Sequence, residues 1–481
     1  MKILYRFRIL IKSLITFLVI GLSQQIAITE FNQASGQSTS PPNIVLIVID
    51  DIGYGDLGIY GNKLHKTPNM DRLAVEGMIF TDFHTNGAVC SPTRAALMTG
   101  QYQQRSGVEH AIGFVKDEGM PLEKRTFAEM LSDAGYINGI FGKWHLGHVE
   151  LFGPNFQGFH ESFVSNNTPD YHTHISRTGE YDWFKNHEVV QESGYLTHLV
   201  TEHSVNFIIE NKNQPFFLYI PHVAVHFPFQ GPDDPPHRTE DNNYHGTSRF
   251  GPLPESQYRR AYKEMLEEVD FSVGKVITAL DELGLRENTF IFVTSDNGAY
   301  HWNGYNYPFR GQKGDLFEGG HRVPAIANWP GKIQNGSFSH EIAMLMDLAP
   351  TIISIAGLAQ PEEETFDGVD LSPVLFEEKG LEARYLFWRF NNPYTNTASY
   401  AVRDESWKYL VYEDQKFLFN LNLDITESNN MINHFPKQAS KLEKAYKEWL
   451  ADIEPDEAVA LEHVKNTFNK WKQGKEKRGN D

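Results

Sequence analysis

Four predominantly apolar stretches constrain the fold most. Asn43–Ile49 reads Asn-Ile-Val-Leu-Ile-Val-Ile, and residues 136–141, 215–220 and 289–294 repeat the pattern. A run without alternation is buried on both faces, which marks parallel strands covered by helices rather than a half-solvated antiparallel sheet. Each run also ends in residues that can do chemistry. The first leads into Asp50-Asp51-Ile-Gly-Tyr-Gly-Asp56 and the second into Gly142-Lys143-Trp144-His145-Leu146-Gly147. The third leads into Pro221-His222-Val-Ala-Val-His226-Phe-Pro228 and the fourth into Ser295-Asp296-Asn297-Gly298. In doubly wound α/β sheets ligands bind along the carboxyl edge of the strands, so these four segments are expected to meet at one site. Between them, residues 258–285 carry apolar side chains three or four apart, the stripe of a long crossover helix. Shorter helices are expected at 125–134 and 197–211.

From about residue 380 the pattern changes. Residues 385–390, 399–403, 408–411 and 417–421 read as short strands with turns between them, a small antiparallel sheet. Residues 437–453 read as a helix, and 461–481 as a basic, polar, solvated tail. At the other end, Lys2, Arg6, Arg8 and Lys12 precede an apolar stretch, Leu14 to Leu22, too short to span a bilayer comfortably. Residues 1–24 are therefore expected to be a secretory signal, with an uncleaved anchor the alternative, and 25–42 a linker. The main domain then runs over 43–379 and the smaller one over 380–460. The expected location is periplasmic or secreted, without a stable membrane anchor. A net charge of −19 lacks the basic footprint of a nucleic-acid binder. An anionic substrate would need a local cationic funnel against that field.

Cys90, the only cysteine, rules out an intramolecular disulfide and lies in Gly-Ala-Val-Cys-Ser-Pro-Thr-Arg-Ala-Ala-Leu-Met-Thr-Gly. Ser91 suits a helix N-cap, Pro92 the first helical position and Gly100 the stop. Cys90 would then face free backbone N–H groups at a helix start, with the permanent charge of Arg94 one turn further in. Asp50, Asp51, Asp296 and Asn297 offer hard oxygen ligands for Ca²⁺, with Mg²⁺ the other candidate. No Cys/His spacing suited to zinc occurs.

The run Cys90-Ser-Pro-Thr-Arg94, followed by Leu-Met-Thr-Gly, resembles the signature of the formylglycine-dependent sulfatases of the alkaline phosphatase-like superfamily. The resemblance extends to both acidic motifs and covers residues 43 to about 453. It implies a large mixed, mostly parallel sheet sandwiched by helices, with a smaller C-terminal antiparallel sheet and helix. It implies that a formylglycine-generating enzyme oxidises Cys90 to an aldehyde, Cα-formylglycine, whose hydrate attacks sulfur. Asp50, Asp51, Asp296, Asn297 and residue 90 would hold the metal. Lys143, Lys313 and Arg94 would neutralise the sulfuryl oxygens, and His145 would assist the nucleophile. His226 would protonate the leaving oxygen, with His222 the competing register. The implied substrate is a sulfated oligo- or polysaccharide, such as ulvan, carrageenan or a glycosaminoglycan. His172, His174 and His301, in aromatic-rich stretches suited to sugar rings, are the expected substrate contacts. The alternatives are a phosphomonoester or phosphodiester hydrolase of the same superfamily and a carbohydrate-binding protein with unmodified Cys90.

Overall fold

The computed structural model describes residues 40–113, 116–240, 250–360, 366–392 and 397–478. The signal segment and nearly all of the linker lie outside these residues. The strands in chain order are β1 (Asn43–Ile49), β2 (Met78–Phe80), β3 (Phe83–His84), β4 (Ile137–Lys143), β5 (Glu161–Ser165), β6 (Phe184–Lys185), β7 (Glu188–Val189) and β8 (Phe216–His222). They continue as β9 (Thr289–Ser295), β10 (Ala325–Asn328), β11 (Ser337–Ser339), β12 (Ala343–Met344), β13 (Tyr385–Asn392), β14 (Thr397–Asp404), β15 (Trp407–Tyr412) and β16 (Gln415–Asn420). The helices are α1 (Pro68–Val75), α2 (Cys90–Thr99), α3 (Phe127–Asp133), α4 (Val149–Phe152) and α5 (Leu196–Asn211). They continue as α6 (Tyr258–Glu282), α7 (Glu318–His321), α8 (Leu348–Ile355), α9 (Ser372–Glu377) and α10 (Pro436–Arg478).

Ten strands form one sheet in the order β11-β2-β10-β9-β1-β8-β4-β5-β6-β7. Its centre, β9-β1-β8-β4-β5, is parallel throughout, and the antiparallel pairings lie toward the edges. This is the mixed, mostly parallel sheet that the apolar runs imply. In β1, Ile44, Leu46 and Val48 join the core on one face, and Val45, Ile47 and Ile49 the core on the other. Helix α6 buries its stripe, including Tyr262, Met265, Leu266, Val269 and Val273, on the second face. The four C-terminal strands pair in simple antiparallel order. Their core is continuous with Ala88, Val89, Ala96 and Tyr102, so the small sheet packs directly against the helix that begins at Cys90. Residues Pro42–Asp481 accordingly form one compact unit.

Two local expectations are corrected. Helix α2 starts at Cys90 itself, with extended Val89 at the N-cap and no side-chain cap. The Ser91 hydroxyl is committed elsewhere, accepting a hydrogen bond from the Ile112 N–H at 3.0 Å. Helix α10 does not end near Ile453 but continues to Arg478 through Pro455. An interior proline costs a helix about 3 kcal/mol, which is why the sequence reads as a stop there. Burial beyond it offsets that cost: Ala460 and Val464 are buried, and Phe468 and Trp471 are half-buried. Residues 461–478 are therefore a packed helical extension rather than a solvated tail.

Candidate active site

Register brings the acidic segments together. Ile49 on β1 lies beside His222 on β8 and Ser295 on β9, so Asp50-Asp51 and Asp296-Asn297 leave the sheet side by side. Asp51 takes a left-handed backbone conformation (φ 67°), as does His145 (φ 58°), which costs energy for a side chain other than glycine. The turn is secured by the Asp51 N–H on Asp296 Oδ1 at 3.3 Å and the Ile52 N–H on Ser295 Oγ at 3.2 Å. At Gly298 a Cβ would lie 1.9 Å from the Gly319 carbonyl oxygen. Only glycine lets this loop press against the segment that carries Lys313.

Helix α2 delivers Cys90 into this cluster. Its Sγ is 3.3 Å from Asp50 Oδ1 and 3.3 Å from Lys313 Nζ. Lys143 Nζ donates to Asp50 Oδ2 at 2.6 Å, and Lys313 Nζ to Asp51 Oδ1 at 2.5 Å. Arg94 donates twice to Asp296 Oδ2, at 2.7 and 3.1 Å, and once to the Lys143 carbonyl at 3.0 Å. Asn297 Nδ2 donates to Asp51 Oδ1 at 2.7 Å, while its buried Oδ1 has no partner. The structure brings together Asp50, Asp51, Cys90, Arg94, Lys143, Asp296, Asn297, Lys313 and, at the edge, His226.

Burial dominates the proton affinities. It pushes Asp50 up, but Lys143, His226 and Lys313 outweigh it and hold this carboxylate well below its ordinary range. Asp51 is pushed up to about 7 by burial and by Asp50 and Asp296, against the pull of Lys313. Burial, Asp296 and Asp50 all raise the Cys90 thiol. The protein groups alone therefore favour the thiol over the thiolate at residue 90, and a dication held beside it would act in the opposite direction.

The donor set fits a hard divalent cation. One ligand atom from each of Asp50, Asp51, Cys90 and Asp296 lies within 4.8 Å of the others. The partnerless Asn297 Oδ1 adds a neutral oxygen donor. Three carboxylates here face three permanent cations. A bound dication would leave the pocket net positive, as an anionic substrate requires. A second group with ligating potential, His84, Glu318 and His321, is already held by protein cations. Lys408 Nζ lies 2.9 Å from Glu318 Oε1 and 3.1 Å from His321 Nε2.

The histidines separate by their partners. His145 Nε2 is 2.9 Å from the Ile112 carbonyl, an acceptor only, so Nε2 carries the proton and the partnerless Nδ1 is left as the base. His226 Nδ1 likewise donates to the Phe227 carbonyl at 2.7 Å, and its Nε2 faces Asp51 Oδ2 at 3.8 Å. His222 is buried with neither ring nitrogen hydrogen-bonded, and burial pushes it down to about 3. His174 is buried, with Nε2 on the Gly194 carbonyl at 3.1 Å, so it packs rather than offering a free donor. His172 Nε2 lies 3.3 Å from the Gly231 carbonyl, and exposed His301 follows Tyr300, whose ring lies 5.5 Å from Lys313 Nζ. Among the described residues these three histidines form no hydrogen bond or ion pair with the acidic cluster. Sequence reasoning missed Ile112, which orients His145 through a backbone carbonyl, and the Tyr219 hydroxyl, buried beside Arg94. Neither carries a motif.

Residues 42–358 match the family model described as Sulfatase. Residues 312–456 match that described as N-sulphoglucosamine sulphohydrolase, C-terminal. N-acetylgalactosamine-6-sulfatase of Mus musculus is 38% identical over 379 residues, 73% of this chain and 69% of the relative. Arylsulfatase G of Rattus norvegicus is 34% identical over 399 residues, 73% of this chain and 72% of the relative. Among solved structures, Ps i-CgsB in complex with k-i-k-neocarrahexaose superposes with a TM-score of 0.77 at 28% identity, covering 88% of this chain and 98% of that one.

Proposed function

Because the chain belongs to the sulfatase family, we propose that it removes sulfate from a sulfated carbohydrate whose target sugar is a galactose or N-acetylgalactosamine unit. The enzyme class follows from the family; the sugar is inferred from relatives. One relative is named N-acetylgalactosamine-6-sulfatase, and a structural neighbour is described in complex with k-i-k-neocarrahexaose. The observation that carries the reading is the buried helix start at Cys90, ringed by Asp50, Asp51 and Asp296 and walled by Arg94, Lys143 and Lys313.

Asp50, Asp51, Asp296 and Asn297 would hold Ca²⁺, which supplies charge neutralisation for the sulfuryl oxygens and the nucleophile. Formylglycine made from Cys90 by a formylglycine-generating enzyme would, once water has added to its aldehyde, supply one hydroxyl as the nucleophile and the second to release sulfate. Around them the chain's own groups act in fixed places. Lys143, Lys313 and Arg94 bind and orient the anionic ester. His145 Nδ1 takes a proton beside residue 90. His226 Nε2 delivers one to the leaving sugar oxygen; burial, Lys313 and Lys143 hold this imidazole well below its ordinary range, so the negative charge of the arriving ester must offset them to favour the protonated form. Export through the N-terminal segment, to the periplasm or beyond, completes the proposal. Among the described residues no helix is long and apolar enough to cross a membrane.

Parallel assays on aryl sulfate and aryl phosphate test the reaction class. Sulfate turnover should dominate; a preference for phosphate would favour a phosphoester hydrolase. A calcium chelator should abolish sulfate release, and Ca²⁺ should restore it. Undiminished activity in the chelated, metal-free enzyme would contradict the assigned ligands. His226→Ala should lower kcat on a sulfated sugar about 10²- to 10³-fold, the usual worth of a general acid, with a smaller loss on aryl sulfate, whose phenolate leaves unaided. His222→Ala should cost less than about tenfold. The reverse ranking would assign the acid to His222.

A further inference from the structure

Beside the catalytic cluster lies a cavity of about 400 Å³, lined by residues that include Ile112, Lys116, His148, Glu150, Asn166 and Tyr181. Ile112 joins it to the centre, since its N–H binds Ser91 and its carbonyl binds His145. Mixed polar edges and an aromatic ring suit a pyranose. Two segments of its wall rest on the far half of helix α10, the part beyond the residue 456 limit of the C-terminal family match. Leu461 packs on Gly107, and His463 lies 3.6 Å from Glu123. Val464 is buried with Leu151 and Phe152 of α4, and Phe468 and Trp471 pack beside them. The Trp471 ring lies 5.3 Å from Lys116 Nζ, which is 2.8 Å from Glu150 Oε2. Positions 461, 464, 468 and 471 fall on one helix face, turned to this wall.

We infer that the far half of α10 is a specificity-determining buttress: it holds Lys116 and the α4 turn as the wall of a subsite for the sugar adjoining the sulfated one. Trp471 is a positioning residue, acting on substrate through Lys116. The inference rests on the carbohydrate reading above.

The test uses full-length enzyme and three probes: 4-nitrophenyl sulfate, a chondroitin 6-sulfate tetrasaccharide and a κ-carrageenan tetrasaccharide. Trp471→Leu keeps apolar volume but loses the ring face. On whichever tetrasaccharide the parent desulfates faster, its KM should rise about tenfold with kcat changed less than about twofold. Its kcat/KM on 4-nitrophenyl sulfate should stay within about twofold of the parent. Trp471→Phe should return KM to within about threefold. An unchanged saccharide KM, or equal losses on aryl sulfate and saccharide, overturns the inference. A parent that hydrolyses aryl sulfate but neither tetrasaccharide refutes the carbohydrate reading and the buttress with it.

Discussion

Cys90→Ala should lower kcat/KM for aryl sulfate at least about 10⁴-fold, about 5.4 kcal/mol of barrier at 1.36 kcal/mol per decade. The fold should survive, because the change deletes one small atom from a site already crossed by ion pairs. Its stability cost should stay below about 2 kcal/mol. The rate effect is large because no neighbouring side chain can take over bond formation to sulfur. Arg94, Lys143 and Lys313 are cations, and the carboxylates are committed to them. The same reasoning applies to unmodified cysteine. A thiol offers one nucleophilic atom and no second hydroxyl to release sulfate, so enzyme made without the maturation step should be nearly as inactive as the alanine variant. Kinetics of the three preparations, at equal concentration and with matched circular dichroism, check this. Residual turnover within about tenfold of the mature enzyme would remove residue 90 from the nucleophile's role.

The second large effect is on stability, away from the chemistry. Lys408→Met should destabilise the protein by about 3–5 kcal/mol, the cost of leaving a buried carboxylate without its partner. Lys408 Nζ lies 2.9 Å from both Glu318 Oε1 and Glu427 Oε1, and all three side chains are fully buried. Burial raises Glu318, but Lys408, His84 and Arg403 outweigh it and hold it well below its ordinary range. Glu427 is pushed from 4.5 to about 7, by burial first and by Glu318, against the pull of Lys408. Its raised value means its protonated form favours the fold. That contribution is complete below about 4.5 and is lost as pH rises through about 7. Without Lys408, Glu318 should shift upward too, so the variant's deficit should grow from pH 5 to pH 8. Urea unfolding at both pH values measures it, and a deficit independent of pH would contradict the coupling. The network also reaches the active site. Glu427 accepts from the Glu318 N–H at 2.6 Å through its side chain and from Arg310 at 2.9 Å through its carbonyl, bracketing the segment that presents Lys313. The C-terminal sheet thereby braces a catalytic lysine.

The central strands were legible because burial on both faces leaves no room for polar alternation, and because polar residues are then confined to the strand ends. The same confinement made Asp50, Asp51, Lys143, Asp296 and Asn297 stand out before any geometry was known. Short strands such as Met78–Phe80 and Ser337–Ser339 were not legible, since three residues carry no period and their extension comes from pairing. Helix α10 was read as ending at residue 453, short of Pro455, because local propensity argues for a stop, whereas packing of Val464 and Trp471 on Leu151 and Phe152 of α4 decides otherwise. The choice between His222 and His226 needed three dimensions. Four residues apart on one segment, they differ in that only His226 reaches the carboxylates. The orientation of His174 was not legible for a related reason: its aromatic neighbourhood can be read from the sequence, but not that its Nε2 is turned to the Gly194 carbonyl.

The central claim is that residue 90 works as an oxidised side chain rather than as a thiol. The most direct measurement is the mass of the tryptic peptide spanning residues 73–94, taken from enzyme of known specific activity. Active preparations should yield a peptide lighter than the cysteine form, carrying an aldehyde that condenses with a hydrazide, in proportion to sulfate release. A fully active preparation in which that peptide retains an intact thiol would contradict the account.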